Sequence, residues 1–158
     1  MNSTHALLLA FLIGIVCGSR SLTAPACVAW GAHLGWIHLQ NTPVEFMGSI
    51  VTLGIFTLGA ALELVADQLP STPSRLKPPG MIARIVLGGL SGASLSVAGG
   101  QSILAGACLG VVGGVAGAFM GYQIRTGLVK ALKVRDLVIA LLEDAVTIAG
   151  GLLIVSRF

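Results

Sequence analysis

The sequence predicts an all-α fold, a polytopic transmembrane helical bundle of about five spans, from three observations. Of the 158 residues, 55% are hydrophobic and only 9% are charged, whereas soluble domains carry about 25% charged residues. The mean hydropathy is +0.96. Several uncharged stretches also reach the roughly 20 residues that cross a bilayer. These observations exclude a soluble enzyme, a secreted disulfide scaffold and a disordered chain, and they favour a single integral membrane domain over residues 1–158.

The first predicted helix covers residues 6–30. The sequence Gly-Ser-Arg-Ser at 18–21 and Pro25 interrupt it, so the bundle has six spans if this helix is broken there. A signal peptide is the alternative interpretation of this segment. Residues 1–5 contain no Lys or Arg, however, and signal peptides begin with a positively charged region. We therefore expect a retained first helix.

The remaining helices follow from hydropathy and helix-breaking residues. The second covers 46–69 and stops at Pro70. The stretch 85–124 has no formal charge and is too long for one helix, and Gly-Gly-Gln-Ser at 99–102 divides it into a third and a fourth helix. The fifth covers 136–156. An odd number of spans predicts that the two termini face opposite sides of the membrane.

The basic residues predict the orientation in the membrane. Seven of the nine lie around two inter-helix connections: Arg75, Lys77, Arg84, Arg125, Lys130, Lys133 and Arg135. The positive-inside rule then places these connections and the N-terminus in the cytoplasm, in a multi-pass protein of the cell (inner) membrane. Trp30 and Trp36 lie near the predicted outer interface, which tryptophan favours. We attribute the net charge of +3 to basic residues that determine the membrane orientation, and we expect no nucleic-acid partner.

Glycines recur at every fourth position in the predicted fourth helix. Two rows overlap there: Gly106, Gly110 and Gly114, and then Gly113, Gly117 and Gly121. Residues four apart share one helix face, and a glycine face lets a neighbouring helix approach closely. This pattern predicts a central helix that packs within the fold or between subunits. We expect the lipid bilayer as one partner and a homo-oligomer or a membrane complex, assembled through this helix, as another. A glycine-lined permeation path is the alternative.

A weak internal similarity is consistent with an inverted repeat. Segment 14–20 ends in Arg20 and precedes a helix with Ala-Ala-Leu-Glu at 60–63, whereas 117–125 ends in Arg125 and precedes Ala-Leu-Leu-Glu at 140–143. Two such pairs in opposite orientations would resemble the repeats of secondary transporters. The different spacing from glycine to arginine in the two segments counts against this interpretation.

Ionisable residues inside the predicted spans are the candidate substrate- or ion-binding residues. They are Arg20, Glu63, Glu143 and Asp144. Such residues are costly in a membrane and usually face a partner or a cavity. We expect Arg20 to approach the acidic pair at 143–144. Two hypotheses stay open: an ion pair that only fixes helix register, and a substrate or ion site, because two acids against one base leave a negative charge.

The connection after the second helix contains four of the six prolines and is predicted to be stiff. Its candidate residues for a clamp or a headgroup site are Asp67, Ser74, Arg75 and Lys77. In the clamp hypothesis Arg75 binds Glu63 or Asp67. In the alternative, the hydroxyl and basic groups bind a phosphate or a lipid headgroup.

The sequence contains no motif that favours catalysis. The three cysteines all lie in apolar segments, without metal-ligand spacing. No phosphate-binding loop, zinc-protease motif or serine-nucleophile motif is present. We therefore expect no catalytic residue, no metal and no cofactor, and an intramembrane enzyme is the least favoured reading.

The spacing of the polar residues resembles an uncharacterised family of small polytopic membrane proteins, domain of unknown function 4126. The matching features are Gly-Ser-Arg-Ser at 18–21 with Pro25, the acidic and proline-rich segment 63–84, Gly-Tyr-x-x-Arg at 121–125 and Glu-Asp-Ala at 143–145. The resemblance covers nearly the whole chain. It implies that these polar residues act together, and it implies no activity or ligand.

The leading hypothesis for function is a small transporter or channel for an ion or small solute, with the four intramembrane residues lining a polar path. The alternatives are a non-transporting structural or accessory subunit of a larger membrane complex, and a lipid-headgroup-binding protein. A water-filled cavity at the acidic pair would favour transport, whereas an apolar interior without cavities would favour the structural subunit.

Overall fold

The computed structural model describes residues 3–67, 76–132 and 136–158, and every regular element in these ranges is helical. Six α-helices follow one another along the chain: α1 (Ser3–Ser19), α2 (Thr23–His33), α3 (Ile50–Ala66), α4 (Pro78–Ala98), α5 (Ile103–Leu132) and α6 (Asp136–Val155). A 3-10 turn, Glu45–Gly48, precedes α3. The predicted helical bundle is thus confirmed, in its six-helix form.

The first predicted helix is broken into two antiparallel helices. A side chain built at Gly151 of α6 would contact both Val16 of α1 and Cys27 of α2, and Asp144 on the same helix contacts Arg20. Moving along α6 from 144 to 151 therefore means moving backwards along α1 and forwards along α2. Residues 20–22 form the tip of this α1–α2 hairpin.

Local chemistry accounts for the break. Pro25 lies in the first turn of α2, where a proline has no helical hydrogen bond to lose. The same residue could not continue α1 without removing a backbone donor. The N–H groups of Ser21 and Leu22 instead donate to the side chain of Glu63.

Helices α1, α4 and α5 form the close-packed centre of the bundle. A Cβ added at Gly18 of α1 would lie 2.5 Å from the backbone nitrogen of Ala118 on α5, and one at Gly88 of α4 would lie 2.8 Å from the carbonyl oxygen of Gly110. Only glycine permits such approach of backbones. The glycine rows of α5 therefore pack within the fold: the row 106–114 packs against α4, and Gly113 and Gly117 of the other row pack against α1.

Helix α3 lies at the periphery and packs mainly on α2. The indole Nε1 of Trp30 donates to Thr57 Oγ1 at 3.1 Å, and Leu22 adjoins Gly59, so the two helices are antiparallel. The other face of α3 exposes Ile50, Val51, Ile55, Leu58, Leu62 and Val65. An apolar face of this extent suits contact with lipid tails.

The membrane prediction is confirmed by helix length and composition. Within the described residues, α4, α5 and α6 are long and apolar enough to cross a bilayer. Helices α1 and α3 are also apolar but have 17 residues each, and α2 has 11. At 1.5 Å per residue, α2 is only roughly 16 Å long.

Most of the described basic residues lie at one end of the bundle, which we call the basic end, whereas Arg157 follows α6 at the other end. Lys77 precedes α4, and Arg125 and Lys130 lie within α5, which continues past the predicted boundary at 124. Because α1 and α5 are parallel, α1 begins at the opposite end, where α6 also ends. The prediction that the N-terminus lies with the basic connections, opposite the C-terminus, is therefore wrong: the hairpin adds one reversal of the chain.

The internal similarity does not have the geometry of an inverted repeat. Its two glycine-to-arginine segments belong to α1 and α5, and an inverted repeat requires opposite directions for them. Successive contacts pair Gly14 with Gly110 and Gly18 with Ala118. The two helices therefore run in the same direction.

Candidate functional site

Arg20 occupies the tip of the α1–α2 hairpin and is fully buried. Its Nε donates to Asp144 Oδ1 at 2.7 Å, and Nη2 contacts the same oxygen. Nη1 forms an ion pair with Asp67 Oδ2 at the C-cap of α3. One guanidinium group thus joins the hairpin tip to α3 and α6. The predicted approach of Arg20 to Asp144 is present, and Asp67 is a second carboxylate on the same arginine.

In the contacts described, Glu63 binds groups at the start of α2 and no basic side chain. Its Oε1 accepts hydrogen bonds from the Ser21 N–H at 2.8 Å and the Ser21 hydroxyl at 2.5 Å, and its Oε2 accepts from the Leu22 N–H at 2.8 Å. A carboxylate is favourable at a helix N-terminus because the free N–H groups carry partial positive charge. Glu63 therefore caps α2 and holds the hairpin tip against α3.

Arg84 is a second buried arginine beside the tip, which sequence reasoning counted only as a basic residue of a connection. It is 4% exposed. Its Nε donates to the carbonyl of Gly18 at 2.8 Å and its Nη1 to that of Gly80 at 2.8 Å. The first contact satisfies a carbonyl in the last turn of α1, which has no helical partner. Pro78 could have indicated this position in the sequence. Prolines favour the first turn of a helix, and a helix that begins at Pro78 has Arg84 in its second turn.

Glu143 does not reach the hairpin tip with Asp144. It faces α5, where its Oε2 lies 3.6 Å from Arg125 Nη1. Arg125 in turn donates through Nε and Nη2 to the two oxygens of Asp136, at 2.9 and 2.5 Å. The two neighbouring acids of the predicted pair thus belong to two different arginine clusters.

The predicted clamp is described only in part. Asp67 contacts Arg20, and Lys77 is an exposed residue directly before α4. Ser74 and Arg75 lie outside the described residues, and so does the predicted contact of Arg75 with Glu63 or Asp67. The hypothesis of a headgroup site stays a prediction.

Charges at the tip do not balance among the described residues. Three carboxylates, of Glu63, Asp67 and Asp144, meet two guanidinium groups, of Arg20 and Arg84. One negative charge remains in excess. We call these five residues the tip cluster. In the part of the chain that the structure describes, no three His, Cys, Asp or Glu side chains are grouped as metal ligands.

Two recesses are lined by neighbours of the tip cluster but by none of its five residues. A crevice of about 190 Å³ between α5 and α6 is apolar except for Arg125 and Glu143 at its wall. A groove of about 480 Å³ between α2, α3 and α6 is lined mainly by apolar side chains, with Thr23 next to the hairpin tip and Trp30 farther along α2. The Thr23 hydroxyl is buried and forms no hydrogen bond with the described residues.

Comparison with known proteins gives one match. The family model described as domain of unknown function 4126 covers residues 7–156, nearly the whole chain. No curated protein matches the chain, and no solved structure matches it. The match includes the hairpin tip, both arginine clusters and the glycine rows. The chain therefore belongs to the family of domain of unknown function 4126.

Proposed function

We propose that this protein is a small membrane transport protein for an ion or a small solute, with the tip cluster as its polar site. The observation that carries the proposal is a broken helix whose tip is buried in the bundle and holds Arg20 between two carboxylates. Transporters commonly place their sites at such breaks, because an interrupted helix exposes backbone groups and charges to a ligand.

Depth within the bundle supports this proposal. Asp144 lies eight residues into α6 and Arg84 six residues into α4, so the tip is recessed by roughly 12 and 9 Å from the starts of these helices. Charged side chains at such positions are costly in a membrane and usually mark a substrate or ion pathway. The excess of one negative charge among the described residues of the tip adds a reason for a cation or a proton to bind there.

Transport through this site requires a movement of the helices, because the packing around Arg20 is closed. Because Arg20 has no exposed surface, a ligand reaches it only when the tip opens. Helix α6 packs on α1 and α2 but only sparsely on α5, and the crevice between α5 and α6 reaches Glu143, the neighbour of Asp144. Separation of α6 from α5 is the opening that the packing favours.

A structural or accessory subunit is the second candidate. The tight α1–α4–α5 centre and the ion pairs of Arg20 with Asp67 and Asp144 are what a purely structural cluster would show. Because the glycine rows of α5 pack within the chain, an oligomer or a complex partner would use another face, such as the exposed apolar face of α3. Homo-oligomerisation stays a prediction.

The orientation is a proposal as well. Applied to the six helices, the positive-inside rule places the basic end in the cytoplasm and both helix termini, the start of α1 and the end of α6, on the outer side of the cell membrane. This assignment keeps the predicted side of the basic connections. It reverses the predicted side of the N-terminus.

The proposal is tested by flux through reconstituted vesicles. The probes are Na⁺, K⁺, Cl⁻ and protons, together with radiolabelled amino acids and phosphate. We expect wild-type vesicles to exceed protein-free vesicles for at least one probe, and Asp144→Asn to remove that flux. Glu45→Gln, an exposed acid beyond the opposite end of the bundle, is the matched control and should retain it. Equal rates in wild-type and protein-free vesicles for every probe would support the structural subunit instead.

A further inference from the structure

We infer that the groove between α2, α3 and α6 binds an uncharged, lipid-soluble molecule with an elongated apolar part and one hydroxyl or carbonyl group, which forms a hydrogen bond with Thr23. The groove has a volume of about 480 Å³, and small-molecule sites usually measure about 300–1,000 Å³. This site is separate from the tip cluster, and the inference does not depend on the transport function proposed above.

An unpaired hydroxyl in the wall of the groove points to a bound molecule. Thr23, the first residue of α2, is 3% exposed, and its Oγ1 is buried without a hydrogen-bond partner among the described residues. The other hydroxyl of the lining, that of Thr57, accepts from Trp30 Nε1 at 3.1 Å. A buried polar group without a partner is unfavourable. A hydroxyl or carbonyl group of a bound molecule supplies the missing partner.

The side chain of Thr23 is free to turn its hydroxyl towards such a molecule. Thr23 lines the end of the groove that lies nearest the hairpin tip. No hydrogen bond with the described residues holds its Oγ1 in one position, and threonine populates two χ1 rotamers in helices. A bound molecule therefore selects the rotamer whose hydroxyl faces it.

The lining of the groove determines the charge of the bound molecule. None of the described residues in the lining is charged, and most are Ala, Leu, Ile, Cys or Trp. A charged group would lose its hydration here without gaining an opposite charge, whereas an apolar chain packs against such a wall. Ala26, Ala60 and Ala61 leave the groove wide because their side chains are short. Charge complementarity thus favours an uncharged molecule with a mostly apolar surface.

The groove is accessible from the side of the bundle. Helix α3 packs mainly on α2, and α6 packs on α1 and α2, so the space between α3 and α6 is not filled by side chains. Ile148 and Leu152 on α6 are exposed there. Thr23 and Trp30 are seven residues apart on α2, a rise of roughly 10 Å, and Trp36 also lines the groove. An elongated molecule that enters from the bilayer places its polar group at Thr23 and its apolar part towards the tryptophans.

Quenching of tryptophan fluorescence tests the inference on the purified full-length protein in detergent. Trp30 and Trp36 are the two tryptophans of the chain, and both line the groove, so bromine atoms bound there quench the emission. The probes are three dibrominated chains of equal length: an alcohol, an alkane and an ionised carboxylate. We expect saturable quenching by the alcohol, with an affinity roughly three- to tenfold above that for the alkane, because one hydrogen bond contributes about this much. The carboxylate should bind most weakly.

Two substitutions and a control separate this site from the lipid that surrounds any membrane protein. Thr23→Val keeps the shape of the side chain but removes the hydroxyl, so the alcohol and the alkane should bind with equal affinity. Ala61→Phe fills the groove and should abolish saturable quenching by every probe. Leu62→Phe is the matched control and should behave as wild type, because Leu62 is 70% exposed and does not line the groove.

Three results would each overturn the inference. Quenching that rises linearly with probe concentration in the wild-type protein, which needs no variant to fold, would mean that the tryptophans contact surrounding lipid only. Equal affinities of the wild-type protein for the alcohol and the alkane would exclude the hydrogen bond to Thr23. Saturable quenching that persists in Ala61→Phe would place the probe outside the groove.

Discussion

Glu143 and Asp144 are consecutive residues of α6 that contact arginines on different helices. Asp144 binds Arg20 at the hairpin tip, whereas Glu143 faces Arg125 on α5 at 3.6 Å. Successive residues on a helix point about 100° apart around its axis, so one lies toward the centre of the bundle and the other toward α5. Helix α6 therefore connects the two arginine clusters, and its position depends on both.

Arg20→Ala should destabilise the protein strongly. The substitution leaves the buried Asp144 and the partly exposed Asp67 without their common partner, and breaking a buried ion pair costs about 3–5 kcal/mol. The melting temperature in detergent measures the effect. Arg20→Ala combined with Asp67→Asn and Asp144→Asn should recover much of the loss, because no uncompensated charge remains. An unchanged melting temperature for Arg20→Ala would mean that the ion pairs at the tip do not stabilise the fold.

Asp136→Asn should destabilise the protein much less than Arg20→Ala does. The Asp136 side chain is 58% exposed, and ion pairs with an exposed partner contribute about 0–1 kcal/mol. The variant should lower the melting temperature slightly, and raised salt should reduce the difference from wild type. A loss as large as that of Arg20→Ala would show that the Arg125 cluster holds α6 as firmly as the hairpin tip does.

Glu63→Ala should loosen the start of α2. The side chain accepts from two backbone N–H groups and one hydroxyl, and loss of a helix cap costs about 0.5–2 kcal/mol. Glu63→Gln keeps one carbonyl oxygen as an acceptor, so its loss should be smaller. Hydrogen exchange at Ser21 and Leu22 reports the capping directly. Equal protection of these two amides in wild type and Glu63→Ala would contradict the capping role.

Composition and hydropathy were sufficient to predict the helices. The predicted breaks at 99–102 and near Pro25 both separate helices in the structure, because glycine and proline act locally on the backbone. The direction of the chain after a break is not a local property. It depends on which surfaces pack, and here Cys27 packs beside Val16 and Gly151, so α2 returns along α1.

The polar site was predictable as a set of residues but not as a set of pairs. Because a charged side chain inside a membrane is costly without a partner, the sequence predicted that Arg20 and Asp144 approach each other. Assignment of Glu143 to Arg125 needed the angular position of α6, which hydropathy does not supply. The place of Arg84 in the site was not predicted, because α4 begins at Pro78, seven residues before the uncharged stretch that predicted this helix.

Gly18→Ala should destabilise the central packing, because its new methyl group would lie 2.5 Å from the backbone of Ala118. Overpacking of this kind typically costs about 1–3 kcal/mol. Gly54→Ala is the matched control: this helical glycine of α3 has open space around its Cβ position. There alanine should be neutral or stabilising by up to about 1 kcal/mol, since it restricts the unfolded chain. Equal melting temperatures for the two variants would mean that α1 and α5 separate at little cost.

Cysteine labelling from the two sides of the membrane tests the six-helix topology. With the three native cysteines replaced, single cysteines are introduced as Thr4→Cys at the start of α1, His38→Cys after α2, Lys77→Cys before α4 and Phe158→Cys after α6. All four positions lie outside the apolar helix interiors. Because the hairpin returns the chain to its starting end, a membrane-impermeant maleimide added outside should react at Thr4→Cys, His38→Cys and Phe158→Cys, but at Lys77→Cys only after the membrane is permeabilised. Protection of Thr4→Cys together with Lys77→Cys would restore the five-span arrangement, in which residues 6–30 cross the membrane as one helix.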